Sequence, residues 1–238
     1  MWQRPTRLHI LAIAGLAVGA LAAAPFLAKA NVMRQAPIVV ELFQSQGCSS
    51  CPPANAVANS LAARDDLIVL SYGVTYWDQL GWRDTFASAE NTQRQYTYAR
   101  GLHRDNVATP QMVINGAIDL VGNNASAVNN ALARAAPVAR LEADVNGVTL
   151  PADPRLAGAD IWLVRFDPRE RDVAINAGEN EGRTLPHKNV VRELRLLGRA
   201  TGAAARLSAP ATHEAGLRTA YLVQAPNGGA ILAAGLAS

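Results

Sequence analysis

Hydrophobic and polar positions over residues 37–136 alternate between strand-like and helix-like patterns. Short runs of apolar and β-branched residues predict strands, and apolar residues spaced three or four apart predict helices. In chain order the pattern predicts a strand at 38–43, a helix at 53–63, a strand at 67–74, a helix at 91–102, strands at 111–115 and 117–121 joined by Asn115-Gly116, and a helix at 125–136. Strands and helices therefore alternate first, and an antiparallel pair follows.

The pattern changes after Pro137, where few segments have helical spacing. Asn146-Gly147 sits between two short apolar runs and predicts a hairpin, and a second hairpin is predicted where the strand at 218–224 turns into residues 230–236. Further strands are predicted at 160–166 and 172–175, whereas residues 189–197 fit either a helix or a strand. We therefore predict a small β-rich, sandwich-like domain over residues 138–238.

The first thirty residues have the pattern of an export signal. Arg4 and Arg7 precede nineteen uncharged residues, and Ala28-Lys29-Ala30 provides small residues for cleavage. This order predicts a secretory signal peptide over residues 1–30. The alternative is an uncleaved anchor, because nineteen uncharged residues nearly span a bilayer. In both cases we expect the folded part outside the cytoplasm, either periplasmic or secreted.

The distribution of charge along the chain bears on whether the protein binds nucleic acid. The chain of 238 residues has 22 Lys and Arg against 19 Asp and Glu, a net charge of +3. Arg4, Arg7 and Lys29 account for this excess, since residues 1–30 contain no acid. The remainder is neutral, so we expect no nucleic-acid partner. We also expect no stable membrane partner beyond a possible uncleaved leader.

The chain has two cysteines, Cys48 and Cys51, separated by two serines. A disulfide that closes so short a loop stabilises a fold little, which favours a redox role over a structural one. The pair follows a predicted strand and precedes a predicted helix, where free N–H groups and the helix dipole favour a thiolate. Pro52 favours a helix that begins at Pro52 with Cys51 as its cap, so we expect only a mild lowering of the pKa of Cys48.

Thr109-Pro110 precedes the third predicted strand, and its combination with the C-x-x-C pair resembles the thioredoxin fold. The chain also resembles an uncharacterised family of secreted, thioredoxin-like bacterial proteins, a domain of unknown function. The similar stretches are 40–53, 76–82, Arg94-Gln95, 109–112, 178–183 and 189–192. The resemblance implies an α/β thioredoxin-like domain at 37–136 and a cis peptide bond before Pro110, beside the cysteines.

The combined interpretation is thiol–disulfide exchange with the thiols or disulfides of other exported proteins. We predict that Cys48 is the attacking thiolate and Cys51 the resolving thiol, next to Thr109 and Pro110. The resemblance implies that Glu41 is a buried carboxylate that accepts a proton from Cys51. The alternative is that Glu41 lies on a solvated strand face. We expect no cofactor.

Two other classes of function stay open. Two thiolates with Met112 nearby suit Cu(I), although the histidines lack ligand spacing to the cysteines. The chain could also be a redox-silent binding module, with a groove lined by Tyr72, Tyr76, Trp77 and Trp82. The polar residues at 178–187 suit either a recognition loop or a hydrogen-bonded structural loop.

Overall fold

The computed structural model describes residues 1–2, 36–212 and 214–238. The predicted signal peptide at 1–30 lies outside the described residues, apart from Met1 and Trp2. Within the described parts of the chain, no helix has both the length and the apolar character needed to cross a membrane.

Three α-helices form where the sequence pattern predicts them. They are α1 (Pro52–Leu61), α2 (Ala89–Gly101) and α3 (Ala125–Arg134). The Ser88 side chain accepts a hydrogen bond from the N–H of Asn91 and caps α2, and Asn124 caps α3 in the same way. Helix α1 begins at Pro52 with Cys51 as its N-cap, as predicted.

Fourteen strands account for most of the regular structure in the described residues. They are β1 (Ile38–Gln44), β2 (Leu67–Gly73), β3 (Gln111–Ile114), β4 (Ile118–Leu120), β5 (Ala139–Arg140), β6 (Glu142–Asp144), β7 (Gly147–Leu150), β8 (Asp160–Asp167), β9 (Arg171–Ala174), β10 (Thr184–His187), β11 (Val190–Arg199), β12 (Ala205–Ser208), β13 (Arg218–Gln224) and β14 (Ile231–Leu236). Nine of them form one mixed sheet in the order β4-β3-β1-β2-β11-β8-β13-β14-β5. Strands β9 and β10 form a separate pair, and β12, β7 and β6 form a third sheet.

The predicted α/β thioredoxin-like fold followed by a small sandwich-like domain is wrong. The protein is mostly β, and its main sheet contains strands from both halves of the sequence. The two halves join where β11 lies parallel to β2: Val190 pairs with Ser71, and the N–H of Ser71 donates to the carbonyl of Asn189 at 2.9 Å. This pairing extends the main sheet at one point of the β2 edge and gives the N–H of Ser71 a partner.

The hydrophobic core also crosses the expected domain boundary. On one face of the sheet, Val39 and Phe43 of β1 belong to the same buried cluster as Phe166 of β8 and Leu222 of β13. Because side chains alternate along a strand, Val40 and Leu42 point to the opposite face, where they pack with α1. Helix α1 and the cysteines at its start are therefore positioned by the even-numbered residues of β1.

Candidate functional site

The cysteines form a disulfide at the start of α1. The Cα atoms of Cys48 and Cys51 are 5.4 Å apart, and the N–H of Cys51 donates to the carbonyl of Cys48 at 3.1 Å. Cys48 is 0% exposed and Cys51 is 1% exposed, whereas Ser49 and Ser50 between them are exposed. The tip of the loop thus faces solvent while the sulfur-bearing residues are covered.

Helix α1 offers few donors to a sulfur at its start. Its first two residues, Pro52 and Pro53, have no N–H group. The N–H of Asn55 already donates to the carbonyl of Cys51 at 3.0 Å. A thiolate at this position would therefore gain less from the first turn than at a helix start without proline.

Thr109 lies beside the disulfide, and its peptide bond to Pro110 is cis. The Sγ of Cys48 is 3.7 Å from the Thr109 carbonyl oxygen. The exposed hydroxyl of Ser50 lies between them, 3.3 Å from the sulfur and 3.3 Å from that oxygen. Trp77 fixes the Thr109 side chain, because its indole N–H donates to the Thr109 hydroxyl at 2.7 Å. The structure thus brings four of the five predicted site residues together.

Glu41, the fifth predicted residue, lies elsewhere. Its carboxylate accepts hydrogen bonds from Arg94 Nε at 2.7 Å and Nη2 at 3.0 Å, and from the hydroxyl of Tyr98. As an odd-numbered residue of β1, Glu41 points to the face opposite α1. The Glu41 carboxylate is therefore not placed to accept a proton from Cys51, as the resemblance implied. The solvated alternative is also wrong, because Glu41 is 0% exposed.

The buried cluster of Glu41, Arg94 and Tyr98 shifts the pKa values of Arg94 and Tyr98. Burial would lower the pKa of Arg94, but the Glu41 carboxylate holds it well above its usual value. Burial and the same carboxylate raise the pKa of Tyr98 well above its usual value. Arg94 is thus a permanent cation and Tyr98 a permanent hydrogen-bond donor, which suits a structural role for the cluster.

Residues 178–183, which we call the 178–183 loop, are hydrogen-bonded to the segment that carries the cysteines. The loop is turned by Gly178 and Gly182, both of which have φ of 78° and therefore favour glycine. The buried Asn180 donates from Nδ2 to the carbonyls of Gln46 and Cys48, each at 2.9 Å. Its Oδ1 accepts from Arg183 at 2.8 Å, so every polar atom of this amide is used.

Glu179 places a negative charge at the exposed tip of the cysteine loop. One of its carboxylate oxygens accepts the N–H of Ser49 at 3.0 Å. This hydrogen bond lowers the pKa of Glu179, so the carboxylate is ionised at neutral pH. The sequence pattern left the polar stretch at 178–187 as either a recognition loop or a structural loop, and did not connect it to the cysteines. No local signal links residues 130 positions apart.

Asp84 is a second carboxylate at this site, and sequence reasoning missed it. It is 3% exposed and accepts hydrogen bonds from the N–H of Gln46 at 2.8 Å and of Phe86 at 2.7 Å. Trp82 donates its indole N–H to the Gln46 side chain at 2.9 Å. The only sequence signal was the position of Asp84 just after the aromatic stretch 76–82. Gln46, two residues before Cys48, is thus held by Asp84, Trp82 and Asn180.

Burial raises the pKa of Asp84 to about 6, against the lowering effect of its backbone hydrogen bonds. Its folded-state pKa exceeds its unfolded one, so the resulting stability is complete below about pH 4 and is lost as the pH rises through about 6. The prediction concerns the difference in the free energy of unfolding between the wild type and Asp84→Asn. We expect this difference to fall by up to about 3 kcal/mol as the pH rises from 4 to 7. Urea unfolding across this range measures it, and a constant difference would contradict the prediction.

His187 contributes the opposite pH dependence and cancels in that difference. It is 1% exposed, its ring lies edge-on to Phe86 at 5.5 Å, and neither ring nitrogen has a partner among the described residues. Burial lowers the pKa of His187 to about 4. Its contribution to stability is present above about pH 6.5 and is lost as the pH falls towards 4.

The aromatic side chains do not form the expected groove as a set. Tyr72 is buried in the core and stacks on Phe43 with ring centroids 5.0 Å apart. Trp77 and Trp82 are partly buried, and both use their N–H groups within the site. Met112, the candidate soft ligand, is packed in the cluster beneath α1 and α3. In the described parts of the chain, no three His, Cys, Asp or Glu side chains are grouped so as to hold a metal ion.

Comparisons with known proteins place the chain in a family. The model of a family described as "Protein of unknown function (DUF1223)" matches residues 39–224. No curated protein matches the chain. The crystal structure of protein AGR_C_4864 from Agrobacterium tumefaciens is 30% identical, with a TM-score of 0.73, and the match covers 86% of this chain and 96% of that one. HBP35 of Porphyromonas gingivalis is 14% identical, with a TM-score of 0.54, over 85% of this chain and 74% of that one, which is a likeness of fold alone. The chain therefore belongs to the DUF1223 family of proteins of unknown function.

Proposed function

We propose that the chain exchanges its Cys48–Cys51 disulfide with thiols of other exported proteins. One observation carries this proposal: the Cys48 sulfur lies 3.7 Å from the Thr109 carbonyl, at a loop whose tip is exposed. The same place in the fold thus combines a disulfide of short span with a surface that another chain can approach. Export of the protein is part of the proposal and rests on the pattern of residues 1–30.

The span of the disulfide supports a chemical role over a structural one. A bridge between residues three apart constrains a very short loop, and loop-closure entropy then provides only about 2 kcal/mol. The loop is already held by the side chains of Asn180 and Asp84. Opening the disulfide therefore leaves most of the local structure in place, as a reversible reaction requires.

In the proposed reaction, a dithiol of the partner protein reduces the Cys48–Cys51 disulfide. A partner thiolate attacks the Sγ of Cys48, which forms a mixed disulfide and releases the Cys51 sulfur as a thiolate. A second partner thiolate attacks the partner sulfur of that mixed disulfide and releases Cys48. The partner loses two electrons and two protons and gains a disulfide, and Cys48 and Cys51 end as thiols. The reverse sequence begins with attack by the Cys48 thiolate on a partner disulfide.

Access to the sulfur requires a small local movement. Both cysteines are covered, and the Ser50 hydroxyl lies 3.3 Å from the Cys48 sulfur. Ser50 is exposed, so rotation of its short side chain moves the hydroxyl away without disturbing the core. We expect this rotation to open the path to Cys48.

The test is the reduction of insulin by dithiothreitol in the presence of the full chain. We expect the wild type to accelerate the reduction, and Cys48→Ser to abolish the acceleration because it removes the attacking sulfur. Reduced Cys51→Ser, mixed with insulin after dithiothreitol has been removed, should instead form a mixed disulfide that added dithiothreitol releases. Ser60→Ala, an exposed change on α1, is the matched control and should behave as wild type.

A second assay covers the opposite direction of electron flow. The oxidised chain is mixed with reduced, unfolded ribonuclease, and the loss of ribonuclease thiols is measured. If the wild type is no faster than Cys48→Ser in both assays, the proposal is overturned and a redox-silent module is favoured.

A further inference from the structure

The cysteine loop is held by acidic groups. Among the described residues, two charged side chains are hydrogen-bonded to the main chain of residues 45–51, and both are carboxylates. Asp84 accepts the N–H of Gln46 at 2.8 Å, and Glu179 accepts the N–H of Ser49 at 3.0 Å. The guanidinium of Arg183, in the same 178–183 loop, donates to the side chain of Asn180 and not to residues 45–51.

Glu179 accepts a backbone N–H, that of Ser49, which would otherwise be available to a Cys48 thiolate. A backbone N–H next to a cysteine stabilises the anionic sulfur, as does the free N–H row at a helix start. Here the N–H of Ser49 is occupied by the carboxylate, and Pro52 and Pro53 remove two donors from α1. The carboxylate also places a negative charge at the residue that follows Cys48, and this charge opposes formation of an anionic sulfur.

The 178–183 loop fixes this carboxylate in place. Asn180, the next residue, is 0% exposed and binds the carbonyls of Gln46 and Cys48. The N–H of Glu181 donates to the carbonyl of Gly178 at 3.1 Å and closes the turn around Glu179. The charge is therefore placed by a built loop and not by a freely rotating side chain.

We propose that Glu179 is a positioning residue that suppresses formation of the Cys48 thiolate and so slows exchange, an inference that rests on the function proposed above. The carboxylate does not touch a reacting partner. It acts through the Ser49 amide and through its charge.

The expected size follows from the exposure of Glu179. The Glu179 carboxylate is exposed and is hydrogen-bonded to the amide that follows Cys48, and removing a solvent-exposed like charge at such a position shifts a thiol pKa by about half to one unit. Removing that charge should therefore raise the thiolate fraction at neutral pH about three- to tenfold. Because salt screens exposed charges, the effect should shrink at about 1 M salt.

The experiment uses the full chain with Cys51→Ser, which leaves Cys48 as the single thiol. The pKa of that thiol is measured by thiolate absorbance for this parent and for the parent with Glu179→Gln, Glu179→Ala or Glu181→Gln. Glu179→Gln keeps an oxygen for the Ser49 N–H and removes only the charge. Glu181→Gln is the matched control, since Glu181 is exposed and has no side-chain hydrogen bond to residues 45–51.

We expect both Glu179 variants to lower the thiol pKa by about half to one unit and Glu181→Gln to leave it unchanged. Alkylation gives a second readout: at pH 7 Glu179→Gln should accelerate the reaction with anionic iodoacetate more than with neutral iodoacetamide. An unchanged thiol pKa in both Glu179 variants, or an equal shift in the Glu181 control, would overturn the inference.

The result separates this inference from the proposed function. Insulin reduction that depends on Cys48, with no pKa change in the Glu179 variants, defeats the inference alone. A lowered thiol pKa in a chain that never exchanges with insulin or ribonuclease defeats the proposed function alone. Circular dichroism and thermal unfolding of each variant confirm that the comparison is made between folded chains.

Discussion

Replacing Arg94 with methionine is expected to lower the free energy of unfolding by about 3–5 kcal/mol. Arg94 and Glu41 form a buried ion pair whose side chains are 3% and 0% exposed. Without the guanidinium, the Glu41 carboxylate stays in the core, and the hydroxyl of Tyr98 is the one hydrogen-bond donor left to it among the described residues. A buried charge without its counter-ion adds a desolvation penalty to the packing that is lost with the side chain. Urea unfolding at neutral pH measures the effect.

Two further variants identify the cause. Arg94→Met combined with Glu41→Gln removes both charges, so it should recover part of the lost stability. Arg64→Met removes the cation of an exposed pair with Asp66, whose side chains are 42% and 39% exposed, and should cost less than about 1 kcal/mol. If Arg94→Met costs no more than Arg64→Met, the cluster does not stabilise the fold in the way described.

Replacing Asn180 with alanine is expected to cost about 2–3 kcal/mol. The change leaves the Gln46 carbonyl without a donor in a buried site and takes one of two donors from the Cys48 carbonyl, which keeps the N–H of Cys51. Asn180→Asp should cost at least as much, because it turns an acceptor towards two carbonyl oxygens. Thermal or urea unfolding of the oxidised chain measures both variants.

Asn59→Ala is the matched control for this prediction. Asn59 also donates to a carbonyl, that of Pro186 at 2.9 Å, but its site is partly open to water. Water can replace the lost donor there, so we expect a cost of about 1 kcal/mol or less. Equal costs for Asn180→Ala and Asn59→Ala would show that the 178–183 loop is not anchored by its asparagine.

Local structure was largely predictable from the sequence, and the way the parts join was not. The periodicity of residues 38–136 predicted all three helices, because amphipathic spacing is a local property. Residues 189–197 fitted both patterns, and it is this segment, as β11, that extends the sheet beyond β2. Pairing between strands more than a hundred residues apart has no local signal, and for this reason the predicted fold class was wrong.

The candidate site shows the same division. Cys48, Cys51, Thr109 and Pro110 were identified from their residue types and order, and the structure brings them together. For Glu41 the resemblance implied burial and the alternative was a solvated strand face; the side chain is buried, and Arg94 on the same face is its partner instead of Cys51. Glu179, Asn180 and Asp84 reach the cysteine loop through tertiary contacts, which a strand or helix pattern cannot specify.

The 178–183 loop connects the cysteine segment to the second half of the sequence at a place where the main sheet provides little pairing. Val190 is the single residue of β11 in register with β2. In the loop that precedes it, Asn180 and Glu179 are hydrogen-bonded to the main chain of residues 46–49. The position of the cysteine segment therefore depends on side-chain hydrogen bonds from this loop as well as on strand pairing.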